Sequence, residues 1–321
     1  MIEQAGGTIL VAPEARFASA IRESFKGTLI LNGGYGAEIE VISTTQHYNR
    51  FRSAMINPRR YGLSPFSVAV IHGGPGAGGE MAEVARELCV SRGILEPLQT
   101  AHSLQGQVEE MKGLLEGCAD LPVTLIGFSW GAWLSFILAA RYPAMVSKLV
   151  MVGSGPFQEK YAQRIMQTRL SRISEREEQL VRSIFAILDG PSNGEGEKNR
   201  ALALMGKLFS RTDAFDPIEC KSPESDAIMS CHADIYQSIW KEASLLRQTG
   251  ELLQLGKKIL CPVVAIHGDW DPHPAEGVSE PLQATLKSFQ FSLLENCGHK
   301  PWIEKKAKDK FYSILNGAID L

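Results

Sequence analysis

The stretch Pro122-Val123-Thr124-Leu125-Ile126-Gly127-Phe128-Ser129-Trp130-Gly131-Ala132-Trp133-Leu134 decides how the rest of the chain is read. Pro122–Ile126 is a short apolar run and predicts a buried strand, while Trp130–Arg141 predicts a helix. Between them lies Gly127-Phe128-Ser129-Trp130-Gly131, a serine with glycine two residues to either side. The five-residue pattern alone is common; its place between a strand and a helix makes it specific. A serine on so tight a turn needs small neighbours at those two positions, because Cβ atoms there would collide across the turn. The turn lifts the hydroxyl above the sheet, and the helix start sets free N–H groups and the positive dipole end beside it. Ser129 is therefore the candidate nucleophile.

Working outward, short apolar runs alternate with longer helical patterns, which predicts a mostly parallel sheet with helices on both faces. Thr28–Asn32 and Glu38–Thr44 flank Gly33-Gly34-Tyr35-Gly36 and read as a hairpin. Ser67–Ile71, Ile94–Gln99, Lys148–Val152, Ile259–His267 and Gln290–Leu294 read as further strands. Glu80–Ser91, Leu104–Leu115, Pro281–Ser288 and Pro301–Leu315 read as helices, with Pro301 starting the last. From Gln158 to about Leu255 the periodicity is helical and charged, with no buried strand, so residues 157–255 are assigned to a helical cap over the carboxyl ends of the strands. The core then comprises 26–156 and 256–321. Residues 1–25 form an N-terminal extension in which Thr8–Val11 is a candidate edge strand.

Two further segments belong with Ser129. His72-Gly73-Gly74-Pro75-Gly76 follows the strand Ser67–Ile71. Three glycines and a proline make a fixed loop free of side chains, which can bring a backbone N–H to a carbonyl oxygen. Acyl transfer needs two such donors for its tetrahedral intermediate, worth roughly 3 kcal/mol each. Gly74 and Trp130, the residue after the nucleophile, are the candidates. The loop lacks the spacing and the lysine of a phosphate-binding loop, and His72 reads as structural. Val263–His267 runs into Gly268-Asp269-Trp270-Asp271-Pro272-His273, where Asp271 is the preferred acid and Asp269 a brace for the turn. Gln290–Leu294 runs into Glu295-Asn296-Cys297-Gly298-His299, which puts His299 on a loop at the same face as general base.

Composition narrows the class. The 321 residues suffice for a large core with an inserted subdomain, and 44% apolar with 21% charged residues is ordinary for a globular chain. The net charge of −3 points to neither nucleic acid nor a membrane surface. The basic cluster Arg50, Arg52, Arg59 and Arg60 reads as a solvated loop. Six irregularly spaced cysteines fit neither a zinc site nor a disulfide scaffold, so free thiols in a reducing cytoplasm are expected, with no metal and no cofactor. Met1–Gly7 lacks a secretory pattern, and Leu125–Ala140 is too short and broken to span a bilayer.

With these residues in place, the chain resembles the α/β-hydrolase superfamily over roughly residues 26 to 317, and Ser129, Asp271 and His299 follow one another in that superfamily's order. The resemblance implies an eight-stranded, mostly parallel sheet with an inserted helical cap. His-Gly-Gly-Pro-Gly with Gly-x-Ser-Trp-Gly is similar to the proline iminopeptidase branch, whose cap holds a substrate amine with acidic side chains. Trp240-Lys241-Glu242 is similar to that branch's Trp-x-x-Trp-Glu segment, which implies a substrate-binding role for Glu242 and Trp240; a solvated helix face is the competing reading of Glu242. Phe128 and Ala132 depart from the small polar residues usual in the branch. The expected activity is hydrolysis of an ester, amide or related acyl bond of a small molecule through an acyl-enzyme. Carboxylesterase or C–C bond hydrolase chemistry on the same three residues, and a non-catalytic binding protein of this fold, are the alternatives.

Overall fold

The computed structural model describes residues 57–76, 78–218 and 232–320, together with the backbone of four short strands earlier in the chain. The chain separates into two compact units, Met1–Ile56 and Asn57–Leu321. In the first, β1 (Gln4–Ala5), β2 (Thr8–Val11), β3 (Leu29–Gly33) and β4 (Ala37–Val41) form one sheet in that order. The β3–β4 hairpin pairs Leu31 with Ile39, as the glycine-rich turn between the two runs predicts. Thr8–Val11 is a strand, but it lies between β1 and β3 rather than at an edge. The hairpin belongs to this first unit, so the boundary expected at 25/26 falls at 56/57 instead. Arg50, Arg52, Cys220 and Cys231 lie outside the described residues.

The second unit holds a seven-stranded sheet among the described residues. In chain order its elements are β5 (Arg59–Tyr61), β6 (Val68–Ile71), α1 (Ala82–Leu88), β7 (Ile94–Glu96), α2 (Leu104–Cys118), β8 (Val123–Phe128), α3 (Trp130–Arg141) and β9 (Val146–Val152). Five helices follow: α4 (Glu159–Leu170), α5 (Glu175–Asp189), α6 (Glu195–Thr212), α7 (Ala233–Gln248) and α8 (Glu251–Leu255). The sheet resumes with β10 (Val263–Gly268), α9 (Glu276–Thr285), β11 (Phe289–Leu294) and α10 (Lys308–Asp320). Strand order is β11-β10-β9-β8-β6-β7-β5, parallel throughout except where β5 pairs antiparallel with β7.

Side chains alternate across the sheet, and each face has its own cover. Val68, Val70 and Ile126 pack with Val84 and Leu88 of α1 and with Phe311 and Leu315 of α10. Ala69, Ile71 and Leu125 pack with Val108 of α2 and Trp133 and Phe136 of α3. Burial on both faces is why β8, Thr124 apart, is apolar rather than alternating. The helical segment between β9 and β10 has a separate cluster of Val181, Ile184, Met205 and Phe209 on α5 and α6.

Two expectations need correction. Arg59 and Arg60 are not loop residues: they lie in β5, where Arg59 pairs with Glu96 at 3.3 Å. Pro301 opens a single 3-10 turn, Pro301–Ile303, and the last helix starts at Lys308.

Candidate active site

β8 delivers the chain to Ser129 with all six of its residues buried. Ser129 takes φ 51° and ψ −115°, a conformation that non-glycine residues rarely adopt. The surroundings hold it there: its N–H donates to the Val152 carbonyl at 2.9 Å and its own carbonyl accepts from Ala132 N–H at 3.1 Å. A Cβ on Gly127 would lie 2.3 Å from the Gly131 carbonyl oxygen, and one on Gly131 would lie 2.3 Å from that of Ile71. Glycine at both places is thus a steric demand of the turn. Trp130 opens α3, so its N–H stands outside the helical hydrogen-bond ladder, one residue from the serine.

The glycine loop runs directly against this turn. A Cβ on Gly73 would lie 3.0 Å from Ser129 Cβ and 2.9 Å from the Phe128 ring. Gly74 has φ 54°. Lys300 pairs with Glu80 at 2.7 Å, joining the region just past the loop to the segment that carries His299. Burial opposes ionisation of Glu80, but the Lys300 ammonium outweighs it and holds the carboxyl below its usual range.

The structure brings the side chains of Asp271 and His299 together. His299 Nδ1 lies 2.7 Å from Asp271 Oδ2. His299 also packs against the strand end that leads into Ser129. Its ring centroid is 4.8 Å from that of Phe128, the residue before Ser129. A Cβ on Gly153, which follows the strand residue bonded to Ser129, would lie 3.1 Å from His299 Nδ1. Phe128, whose size departs from the resemblance, fills the space beneath the imidazole and also meets Trp302 edge-on at 4.8 Å. Asp269 accepts from Cys297 N–H at 3.1 Å, so it braces the histidine loop rather than its own turn.

Asp271 carries more than one partner. His273 Nδ1 lies 2.7 Å from its other oxygen, Oδ1, which also accepts from the His273 backbone N–H at 2.9 Å. Asx-type return from i to i+2 was the available signal for this contact, and Asp271-Pro272-His273 carries it. His267 Nε2 lies 3.6 Å from Oδ2 and donates to the His273 carbonyl at 2.7 Å. Burial alone would push the Asp271 carboxyl up; the three imidazoles, His299 first, hold it well below the usual carboxylate range. Burial pushes the His273 imidazole down to about 4.

Glu304, a residue the sequence did not single out, is fully buried and accepts from the N–H groups of Phe215 at 2.8 Å, Asp216 at 2.8 Å and Gly298 at 2.9 Å. It ties the histidine loop to the segment leaving α6. The Asp213 carbonyl accepts from His299 N–H at 2.8 Å, and the Asp213 carboxylate is gripped by Arg169 Nε and Nη2. Glu242 is exposed, and its carboxylate accepts from Leu104 N–H at 3.0 Å. It meets the first N–H of α2 from α7. Trp240 is half-buried among the rings of Trp130, Trp133 and Tyr236, and its indole N–H has no partner among the described residues.

Among the described residues, two groups bring three potential ligand atoms within 4.8 Å of one another: Asp271, His273 and His299, and Glu195, His232 and Asp234. In the first, both imidazoles turn Nδ1 to the carboxylate.

A strained serine between strand and helix, a glycine loop against it, and a carboxylate-held histidine at the ends of parallel strands describe one kind of protein. A family model for the alpha/beta hydrolase fold matches residues 102–306, and the chain belongs to that family. No curated protein matches it. Among solved structures, VinJ is similar with a TM-score of 0.60 and 18% identity, over 82% of this chain and 94% of that one. An esterase from Exiguobacterium antarcticum gives 0.58 and 17%, over 82% and 95%. A variant of the meta-cleavage product hydrolase CumD gives 0.55 and 18%, over 82% and 94%. At these identities the likeness is one of fold. No helix among the described residues is long and apolar enough to cross a membrane.

Proposed function

We propose that the protein is a serine hydrolase that cleaves an ester, amide or related acyl bond of a small molecule through an acyl-enzyme, with Ser129, His299 and Asp271 as nucleophile, base and orienting acid. The 2.7 Å contact between His299 Nδ1 and Asp271 carries this reading. An ionised carboxylate only accepts, so Nδ1 bears the hydrogen and Nε2 is left bare to take the Ser129 proton. The serine oxygen attacks the acyl carbon, the N–H groups of Gly74 and Trp130 receive the oxyanion, and His299 returns the proton to the departing alcohol or amine. Water then attacks the acyl-enzyme and gives a proton to His299, which passes it to the Ser129 oxygen as the acid leaves.

Within this reading an ester-type substrate is favoured over an N-terminal proline. Glu242 is committed to Leu104 and Asp213 to Arg169, so neither acid stands ready for a substrate amine. A fluorophosphonate probe is expected to label the protein and not its Ser129→Ala variant. Persistent labelling of that variant would sink the assignment. Turnover of p-nitrophenyl acetate without release from proline p-nitroanilide separates the esterase from the iminopeptidase version. Cleavage of a vinylogous diketone with no ester turnover would move the chemistry to C–C hydrolysis.

A further inference from the structure

Gln99 lies just past β7, outside the three segments assigned to catalysis, and is 5% exposed. Its backbone N–H donates to His72 Nε2 at 3.2 Å, and its side-chain amide donates to the His72 carbonyl at 3.1 Å. Its amide oxygen accepts from Trp130 Nε1 at 2.9 Å. The amide's orientation is forced, since a carbonyl must face the NH₂ end and an indole N–H must face the oxygen. His72 is fixed in the same way. Its Nδ1 faces the Gly73 carbonyl at 2.7 Å and must carry the hydrogen, which leaves Nε2 to accept from Gln99. Burial lowers the His72 pKa and keeps this ring neutral. Trp130 Nε1 also reaches Gln107 Oε1 at 3.1 Å, and Gln107 in turn donates to the Ala101 carbonyl at 3.1 Å.

One amide therefore bridges the start of the loop bearing Gly74 and the side chain of Trp130, the two residues whose backbone N–H groups would receive the oxyanion. We propose that Gln99 is a positioning residue that sets the separation and aim of those two donors. The proposal rests on the serine hydrolase reading above. Oxyanion donors act on charge that appears only in the transition state, so misplacing them lowers turnover more than substrate affinity. Glutamine is the side chain that fits. Methionine has its length and neither hydrogen bond, and ionised glutamate would turn an acceptor toward the His72 carbonyl.

The test is steady-state kinetics on a p-nitrophenyl ester, with melting temperature and fluorophosphonate labelling rate measured on the same samples. Gln99→Met is expected to lose about 10- to 100-fold in kcat with KM within about twofold, and to label more slowly in parallel. Gln99→Glu supplies the second arm and covers a Met variant that fails to fold. A protonated glutamic acid can donate to the His72 carbonyl and accept from Trp130, whereas the carboxylate cannot donate. Its kcat relative to the parent should rise as pH falls, a limb absent from the parent. A folded Gln99→Met with kcat within twofold of the parent, or a Gln99→Glu to parent ratio flat across pH, overturns the positioning role alone. A parent no more active than Ser129→Ala overturns the hydrolase reading and the positioning role with it.

Discussion

His273 and His299 stack with ring centroids 4.5 Å apart, and each turns Nδ1 to a different oxygen of Asp271, both at 2.7 Å. One carboxylate thus orients two imidazoles, and only one of them, His299, packs against the residue before the serine. His273→Phe keeps a stacking ring but removes one charge-assisted donor. It should cost roughly 1.5 kcal/mol of transition-state stabilisation, about tenfold in kcat/KM on an ester. Asp271→Asn should cost far more, on the order of 10⁴-fold, because the amide no longer dictates the His299 tautomer. Equal losses in the two variants would contradict this division.

Stability should fall on mild acidification. The His273 imidazole is lowered from an ordinary 6.5 to about 4, so between those values the unfolded chain binds a proton that the folded chain refuses. Its contribution is complete above about pH 6.5 and is lost as pH falls toward 4, at up to roughly 1.4 kcal/mol per pH unit. His72, also lowered by burial, acts in the same direction. Asp271 is depressed below the usual carboxylate range, so its contribution persists through this window and is lost only in stronger acid. Urea unfolding from pH 7.5 to 4.5 measures the slope, and His273→Phe should reduce it.

Glu304→Ala would leave three backbone N–H groups without the carboxylate that receives them. A loss of roughly 3 kcal/mol is expected, on the order of 6–12 °C in melting temperature. Turnover should fall as well, since Gly298 adjoins His299. Calorimetry with kinetics at a temperature where the variant is folded checks both effects.

Phe128→Ala removes a fully buried ring that touches His299 and Trp302. The cavity should cost about 3–5 kcal/mol. A more conservative Phe128→Leu should retain most of the stability and lose activity to the extent that the ring supports the imidazole. Unfolding midpoints and kcat for the two variants separate packing from support.

The nucleophile turn was legible because its constraint is local: Gly127 and Gly131 are forced by backbone atoms a few residues away or on the next strand. Asp271 and His299 were legible because each follows an apolar strand and a glycine. The partners that brace them were not. Gln99 and Glu304 make contacts set by tertiary structure, and no spacing rule marks a glutamine 31 residues from the indole it receives; the return from Asp271 to His273 is the local exception. Arg59–Tyr61 escaped notice for a related reason: a three-residue edge strand with charged side chains has no apolar period, and only its pairing with β7 defines it. The bond from Leu104 N–H to Glu242 likewise spans 138 residues and carries no sequence signal.

The hydrogen bond from His299 N–H to the carbonyl of Asp213, the residue that follows α6, fastens the histidine loop to the helical segment between β9 and β10. A shift of that helix end would therefore be felt first in the backbone of residue 299, one peptide unit from the imidazole that Asp271 holds.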